Sequence, residues 1–267
     1  MSGREPSHTQ AHTHRDTFAF VLAMGGMTMW ALFPAIALVH GNSRDDEQSI
    51  LALGLFVGCL IGAGVGAGVF RGAALATVTV AGALTSALSI GCVSYVEHRT
   101  MPALGGFTVS TVLLTTIAAV AGAVLGKRVA PRPSVAAAAI VLGALGATIA
   151  LLGLVDPVES STAFYLLLAL LFASPLLGAT IAALVCDGVR PGAVMLWTFA
   201  LLASTFVILF FTMSEGEGRG NALLGGFFIS GVTGACVAVP TIVVNALRRR
   251  RVAATAPVVP TAQVVDR

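Results

Sequence analysis

The stretch "GLFVGCLIGAGVGAGVF", residues 54–70, decides how this chain is read. It holds six glycines, at 54, 58, 62, 64, 66 and 68, and Gly62, Gly64 and Ala67 spell G-x-G-x-x-A, close to a dinucleotide-binding fingerprint. Such a turn needs a strand before its glycines, a helix after them and an acidic residue roughly 20 positions on. Here the glycines lie inside one continuous apolar run, and the next acid downstream is Glu97. Gly54, Gly58, Gly62 and Gly66 instead recur every fourth residue, which lines them along one face of a helix. In lipid, helices gain little by hiding apolar surface from each other, so close approach through small residues supplies the packing energy. The stretch is therefore read as a helix-packing face, and glycine's helix penalty of about 1 kcal/mol against alanine argues that so many are kept for tight contact.

The rest of the chain points to the same solvent. Of its 267 residues 57% are hydrophobic and 10% charged, with a mean hydropathy of +0.93, too little polar surface to coat a water-soluble globule. A helix needs about 20 apolar residues to cross roughly 30 Å of hydrocarbon. Eight uncharged runs meet that need: 17–39, 50–70, 72–95, 103–126, 135–155, 163–186, 193–213 and 222–246. The expected fold is an all-α integral membrane protein, an eight-helix transmembrane bundle. It comprises a disordered cytoplasmic tail at 1–16, the eight-span domain at 17–247, and a basic, then flexible, cytoplasmic tail at 248–267. The loops are too short to hold a further domain.

Charge sets the orientation, because short cytoplasmic segments retain Lys and Arg. With the N-terminus cytoplasmic, twelve of the fifteen basic residues fall on that side, and only Arg44, Arg99 and Arg219 fall outside. Eight of the twelve acids, among them Asp45, Asp46, Glu47 and Glu97, are external. Both termini are thus expected in the cytoplasm. The basic balance is a topology signal that needs no nucleic acid, and Arg248–Arg251 read as a stop-transfer anchor in preference to a patch for anionic lipid. Tyr95, Tyr165 and Trp197 fall near expected interfaces, whereas Trp30 lies deep in the first span and reads as a packing residue. "AIA" at 35–37 resembles a signal-peptidase site, but its apolar run exceeds a signal core and seven further spans need an anchor. One Lys against fourteen Arg, with abundant Ala, Gly and Val, places the chain in a bacterial cytoplasmic membrane.

The even-numbered spans share a phase. Aligned on a Gly-Ala pair they read "FVGCLIGA" from Phe56, "TIAAVAGA" from Thr116, "FASPLLGA" from Phe172 and "FISGVTGA" from Phe228. The aligned glycines are Gly62, Gly122, Gly178 and Gly234, at separations of 60, 56 and 56 residues, each preceded four residues earlier by Gly58, Ala118, Ser174 or Ser230. Four matching phases and three shared Phe favour four two-helix hairpin repeats over coincidence in a Gly- and Ala-rich chain. These eight residues are the expected helix-packing positions, and their stripes are expected to meet near the middle of the bundle.

Little chemistry is visible. No ionisable residue lies near a span centre, so coupling through a buried carboxylate is disfavoured. Hydroxyls and prolines remain. Thr115, Ser174, Pro175, Ser230, Thr233 and Pro240 form the candidate solute path, with 171–178 as its best locus, because a proline frees a carbonyl four residues earlier and broken helices line transport sites. The competing reading is that Ser and Thr bond their own helix. His8, His12 and His14 read as a solvated tail, and Cys59, Cys92, Cys186 and Cys236, without C-x-x-C spacing, as small buried hydrophobes. His40, Asp45, Asp46, Glu47, Glu97 and His98 could converge externally, but no hydrolase or zinc motif supports an enzyme. "CDGVRPG" at 186–192 resembles the Asp-Gly-Arg loop of major-facilitator transporters, yet eight spans in hairpins do not fit that family's six-helix halves. The expectation is permease-like transport of a small or amphipathic solute, with a non-catalytic scaffold subunit of a cell-envelope complex as the alternative. No cofactor, metal or nucleic acid is expected; the partners are the bilayer and a second copy or another membrane protein.

Overall fold

The computed structural model describes residues 8–41, 47–70, 105–129, 131–153, 161–212 and 218–255. They form seven helices: α1 His8–Gly41, α2 Glu47–Val69, α3 Gly105–Val129, α4 Pro133–Gly153, α5 Ser161–Val185, α6 Pro191–Thr212 and α7 Gly218–Thr255. There is no strand among the described residues. Five helices are long and apolar enough to cross a membrane, over Asp16–Ala35, Ser49–Val69, Val109–Val129, Pro191–Ile208 and Leu223–Arg251. Pro133–Ile149 and Ala169–Val185 are shorter apolar stretches. The described residues are all-helical, and the length and apolar composition of these helices are those of a membrane-embedded protein. The expected third span, 72–95, with Cys92 and Tyr95, lies outside the described residues, as do Asp45, Asp46, Glu97 and His98.

Local chemistry sets the helix ends. Pro133 and Pro191 open α4 and α6, where the missing N–H would have no intrahelical partner. Arg190 closes the first turn of α6, its carbonyl accepting from the Ala193 and Val194 amides at 3.0 and 3.1 Å. After α5 the chain reverses at Gly188, whose φ of +71° is left-handed and suits glycine. At the other extreme α1 begins at His8, inside the segment expected as a disordered tail. Residues 8–16 contain no Gly or Pro, so nothing in them stops the helix propagating outward from the span.

Glycine contacts fix the helix directions. Against α1, a β-carbon at Gly54 would lie 2.7 Å from Ala35 Cβ, at Gly58 2.6 Å from Thr28 Cα, at Gly62 2.8 Å from the Met24 oxygen, and at Gly66 2.6 Å from the Phe20 ring. The partner number falls as the α2 number rises, so α1 and α2 are antiparallel. On the other side of α2, Gly122 abuts the Leu60 carbonyl, Gly126 the Gly64 carbonyl and Gly68 the Pro131 ring. Those numbers rise together, so α2 and α3 are parallel. Gly26 and Gly143 cross backbone to backbone, and Gly146 meets Met29 at 2.8 Å, making α1 and α4 parallel. Gly226 against Phe206 and Gly234 against Met195 make α6 and α7 antiparallel.

The outcome is a bundle with α1 at its centre, packed on α2, α4 and α6. Of the Asp16–Ala35 window 61% is enclosed, against 17% of Pro191–Ile208. Phe20, Met24, Met27, Cys59, Ala63, Ala118, Ala139 and Ile140 belong to one continuous core. The stripes of the even-numbered spans do not meet at one centre: the 54/58/62/66 stripe faces α1, Gly122 faces α2, Gly178 faces α4 and Gly234 faces α6. In lipid a small-residue stripe is satisfied by whichever neighbour approaches, and here each takes a different one.

Candidate functional site

All eight expected packing positions are buried: Gly58 and Gly62 on α2, Ala118 and Gly122 on α3, Ser174 and Gly178 on α5, Ser230 and Gly234 on α7. At Gly178 a β-carbon would stand 2.9 Å from Val141 Cα and 3.0 Å from Ala144 Cβ, and at Gly234 3.1 Å from the Met195 carbonyl oxygen. Gly62 rests on α1, Gly122 on α2, Gly178 on α4 and Gly234 on α6.

The six candidate path residues are spread over separate interfaces. Thr115 is buried on the face of α3 that packs against α2, and its hydroxyl donates to the Thr111 carbonyl at 2.7 Å. Ser230 is fully buried between Gly226 and Gly234, on the face toward α6, and donates to the Gly226 carbonyl at 2.7 Å. Ser174, one turn before Gly178, is buried toward α4 and donates to the Leu171 carbonyl at 2.8 Å. Pro175 is buried, and Thr233 and Pro240 are half-buried. Thr28, Thr116, Thr148, Thr180 and Thr241 likewise donate to the carbonyl four residues back. Bonding to the host helix leaves a hydroxyl satisfied without a neighbour, which suits an apolar interior.

Pro175 gives one of these bonds a second meaning. It has no N–H to offer the carbonyl four residues earlier, and that carbonyl belongs to Leu171. Ser174 Oγ donates to that same oxygen, so the hydroxyl replaces the amide that the proline removes. The locus 171–178 is thus a break in the backbone ladder repaired by one movable side-chain bond.

Three features lie outside the sequence reading. Gly26 and Gly143 bring the first and fifth spans into backbone contact without a period-four stripe; only the Gly25-Gly26 pair and Gly143/Gly146 spacing hint at it. Trp30, expected to pack, ties α1 to α6 by donating its indole N–H toward the Leu201 carbonyl at 2.9 Å and Ser204 Oγ at 3.1 Å. Thr198 on α6 is fully buried, and its hydroxyl has no hydrogen-bond partner in the structure described. Nothing in the sequence distinguishes Thr198 from hydroxyls that bond their own helix.

At the far end of α5 the α5–α6 turn is held from α7. Arg248 donates to the Leu184 carbonyl at 2.6 Å and pairs with Asp187 at 3.0 Å, while Asn245 donates to the Val189 carbonyl at 2.9 Å. The bond to Leu184 covers a carbonyl that the end of α5 leaves open, and the bond to Val189 holds the turn itself. Cys59 and Cys186 are buried, and Cys236 is exposed. Among the described residues no group of three His, Cys, Asp or Glu is placed to hold a metal ion. Comparison with protein-family models, curated proteins and solved structures finds no match to this chain.

Proposed function

We propose that the chain is an eight-span bundle of four hairpins in a bacterial cytoplasmic membrane. It has both termini in the cytoplasm and works as a permease-like carrier of a small or amphipathic solute, without catalysis and without an ion-coupling carboxylate. The parallel run of α2 and α3 supports the eighth span: a chain crossing twice in one direction crosses back in between, and 72–95 is the apolar run available. Supporting the repeat, Gly62, Gly178 and Gly234 contact the other helix of their own proposed hairpin, α1, α4 and α6. The distribution of Lys and Arg supports the orientation.

One observation carries the transport reading: the pairing of Ser174 with the Leu171 carbonyl that Pro175 frees, buried against α4. A carbonyl held by a rotatable hydroxyl can exchange that partner for a donor on a passing solute, whereas a carbonyl locked in the helix ladder cannot. Flux of small polar solutes in reconstituted vesicles tests it. Ser174→Ala and Pro175→Ala are each expected to change the rate, and unchanged flux in both would refute the reading.

A scaffold role is favoured by a different observation, the broad apolar face that α5 turns outward through Tyr165, Leu166, Leu170, Phe172, Leu176 and Leu177. Under that reading Phe172→Ser with Leu166→Ser abolishes co-purification of a membrane partner or a second copy and leaves the fold intact. Gly62→Leu does not serve as that test, because Gly62 faces α1 within the chain.

A further inference from the structure

The helix directions collect most of the described basic residues at one end of the bundle, while Arg219, at the start of α7, lies at the other. Phe20 near the start of the α1 span meets Gly66 near the end of α2, and Gly68 meets Pro131 between α3 and α4. Gly178, seven residues before the end of α5, meets Val141, eight after the start of α4. Arg248 meets Asp187 just beyond α5. Lys127, Arg128 and Arg132 therefore sit at one corner of this end, and Arg190 with Arg248–Arg251 at another. Lys127, Arg128, Arg132, Arg190, Arg249 and Arg250 are exposed. The acid nearest the second corner, Asp187, is engaged by Arg248.

Depth and neighbours narrow the ligand. α7 has 38 residues and so spans about 57 Å, well beyond a hydrocarbon core of roughly 30 Å. Gly226 lies level with Phe206 toward the other end of the bundle, and Arg249 is 23 residues further on, about 34 Å along the axis, which puts it at headgroup depth. Directly below the cations the surface is apolar: Val243 and Leu247 on α7, and Val124 and Leu125 on α3, are about half exposed. A ligand that fits cations above and bare aliphatic side chains below carries an anionic head and acyl chains.

We propose that these two corners bind anionic phospholipid, with headgroup phosphates on Arg190, Arg249 and Arg250 at one and on Lys127, Arg128 and Arg132 at the other. The Arg248 clip gives the second corner its rigidity, since it holds α7 against the α5–α6 turn next to the exposed Arg249 and Arg250. This site depends neither on transport nor on which side of the membrane the basic end occupies.

Native mass spectrometry of the whole chain from neutral detergent, titrated with phosphatidylglycerol or with phosphatidylcholine of the same acyl chains, tests the proposal. Phosphatidylglycerol is expected to bind more tightly by about 5-fold for each cation engaged. Arg249→Gln with Arg250→Gln, and separately Lys127→Gln with Arg128→Gln, should each remove part of that preference and leave phosphatidylcholine binding unchanged. Raising ionic strength should weaken the preference in the unaltered protein, a readout that requires no variant. Equal binding of the two lipids, a preference untouched by both double substitutions, or displacement of phosphatidylglycerol by an equal concentration of inorganic phosphate would each overturn it.

Discussion

Gly25 and Gly26 are chain neighbours on α1 with opposite surroundings, and substituting each by alanine separates helix propensity from contact. A β-carbon at Gly25 meets nothing within 4 Å. At Gly26 it would overlap the Ala139 carbonyl oxygen and lie 2.7 Å from Gly143 N and 2.8 Å from Ala139 C, all backbone atoms that no rotamer can move aside. Restoring ordinary contact at the Ala139 oxygen requires α1 and α4 to part by more than about 1 Å, a gap that forfeits roughly half or more of the dispersion energy at the crossing. Overpacking of this kind costs about 1–3 kcal/mol. Both substitutions share a propensity gain of up to about 1 kcal/mol, so the difference between the variants isolates the strain. Gly25→Ala should be neutral or stabilising and Gly26→Ala destabilising, with a gap of about 1–3 kcal/mol between them. Unfolding by SDS in mixed micelles, followed by tryptophan fluorescence, measures it. If Gly26→Ala unfolds at the same or a higher SDS fraction than Gly25→Ala, the reasoning from backbone contact is wrong.

Other outcomes follow from single contacts. Ser174→Ala leaves the Leu171 carbonyl without its hydroxyl and should cost about 1 kcal/mol; adding Pro175→Ala restores an amide donor, so the double variant should unfold later than Ser174→Ala alone. Thr198→Val removes a buried hydroxyl that has no partner among the described residues and should raise stability by about 1 kcal/mol; a loss would mean that the hydroxyl has a partner in the membrane. Trp30→Phe deletes the indole donor joining α1 to α6 and should lower stability by about 0.5–1.5 kcal/mol, with Ser204→Ala non-additive to it in a double-variant cycle. A reporter fused after Arg251 should read cytoplasmic and one inserted at Gly216 external; the reverse would overturn the orientation.

Apolar helices were legible in the sequence but the choice of neighbour was not, and the reason is the solvent. In water the polar side of a helix declares which side is outside. Here Leu113, Phe172 and Phe228 are exposed and Phe20, Met24 and Ile140 are buried, yet they belong to the same chemical class. A period-four run of glycines at 54, 58, 62 and 66 therefore announced that another backbone comes close without saying that it is α1, and the expectation of one shared centre had no way to choose. Gly26 and Gly143 escaped because a single crossing point needs no repeat. The Ser174–Leu171 bond, by contrast, was legible in outline: proline and the carbonyl that it frees are always four residues apart, and a hydroxyl beside that proline is in reach. What spacing could not tell is that Thr115 and Ser230 spend their hydroxyls on their own turns.

The two glycine edges of α2 mature at different times during synthesis. The edge that lies on α1 can close as soon as both helices have left the ribosome, since its partner was made first. The edge formed by Gly64 and Gly68 has to wait for Gly126, and at about 5–20 residues per second that interval is roughly 3–12 s. Throughout it, the nascent hairpin presents a bare backbone ridge to the insertion machinery and to any passing helix, which makes that ridge the place where a wrong partner would be captured first.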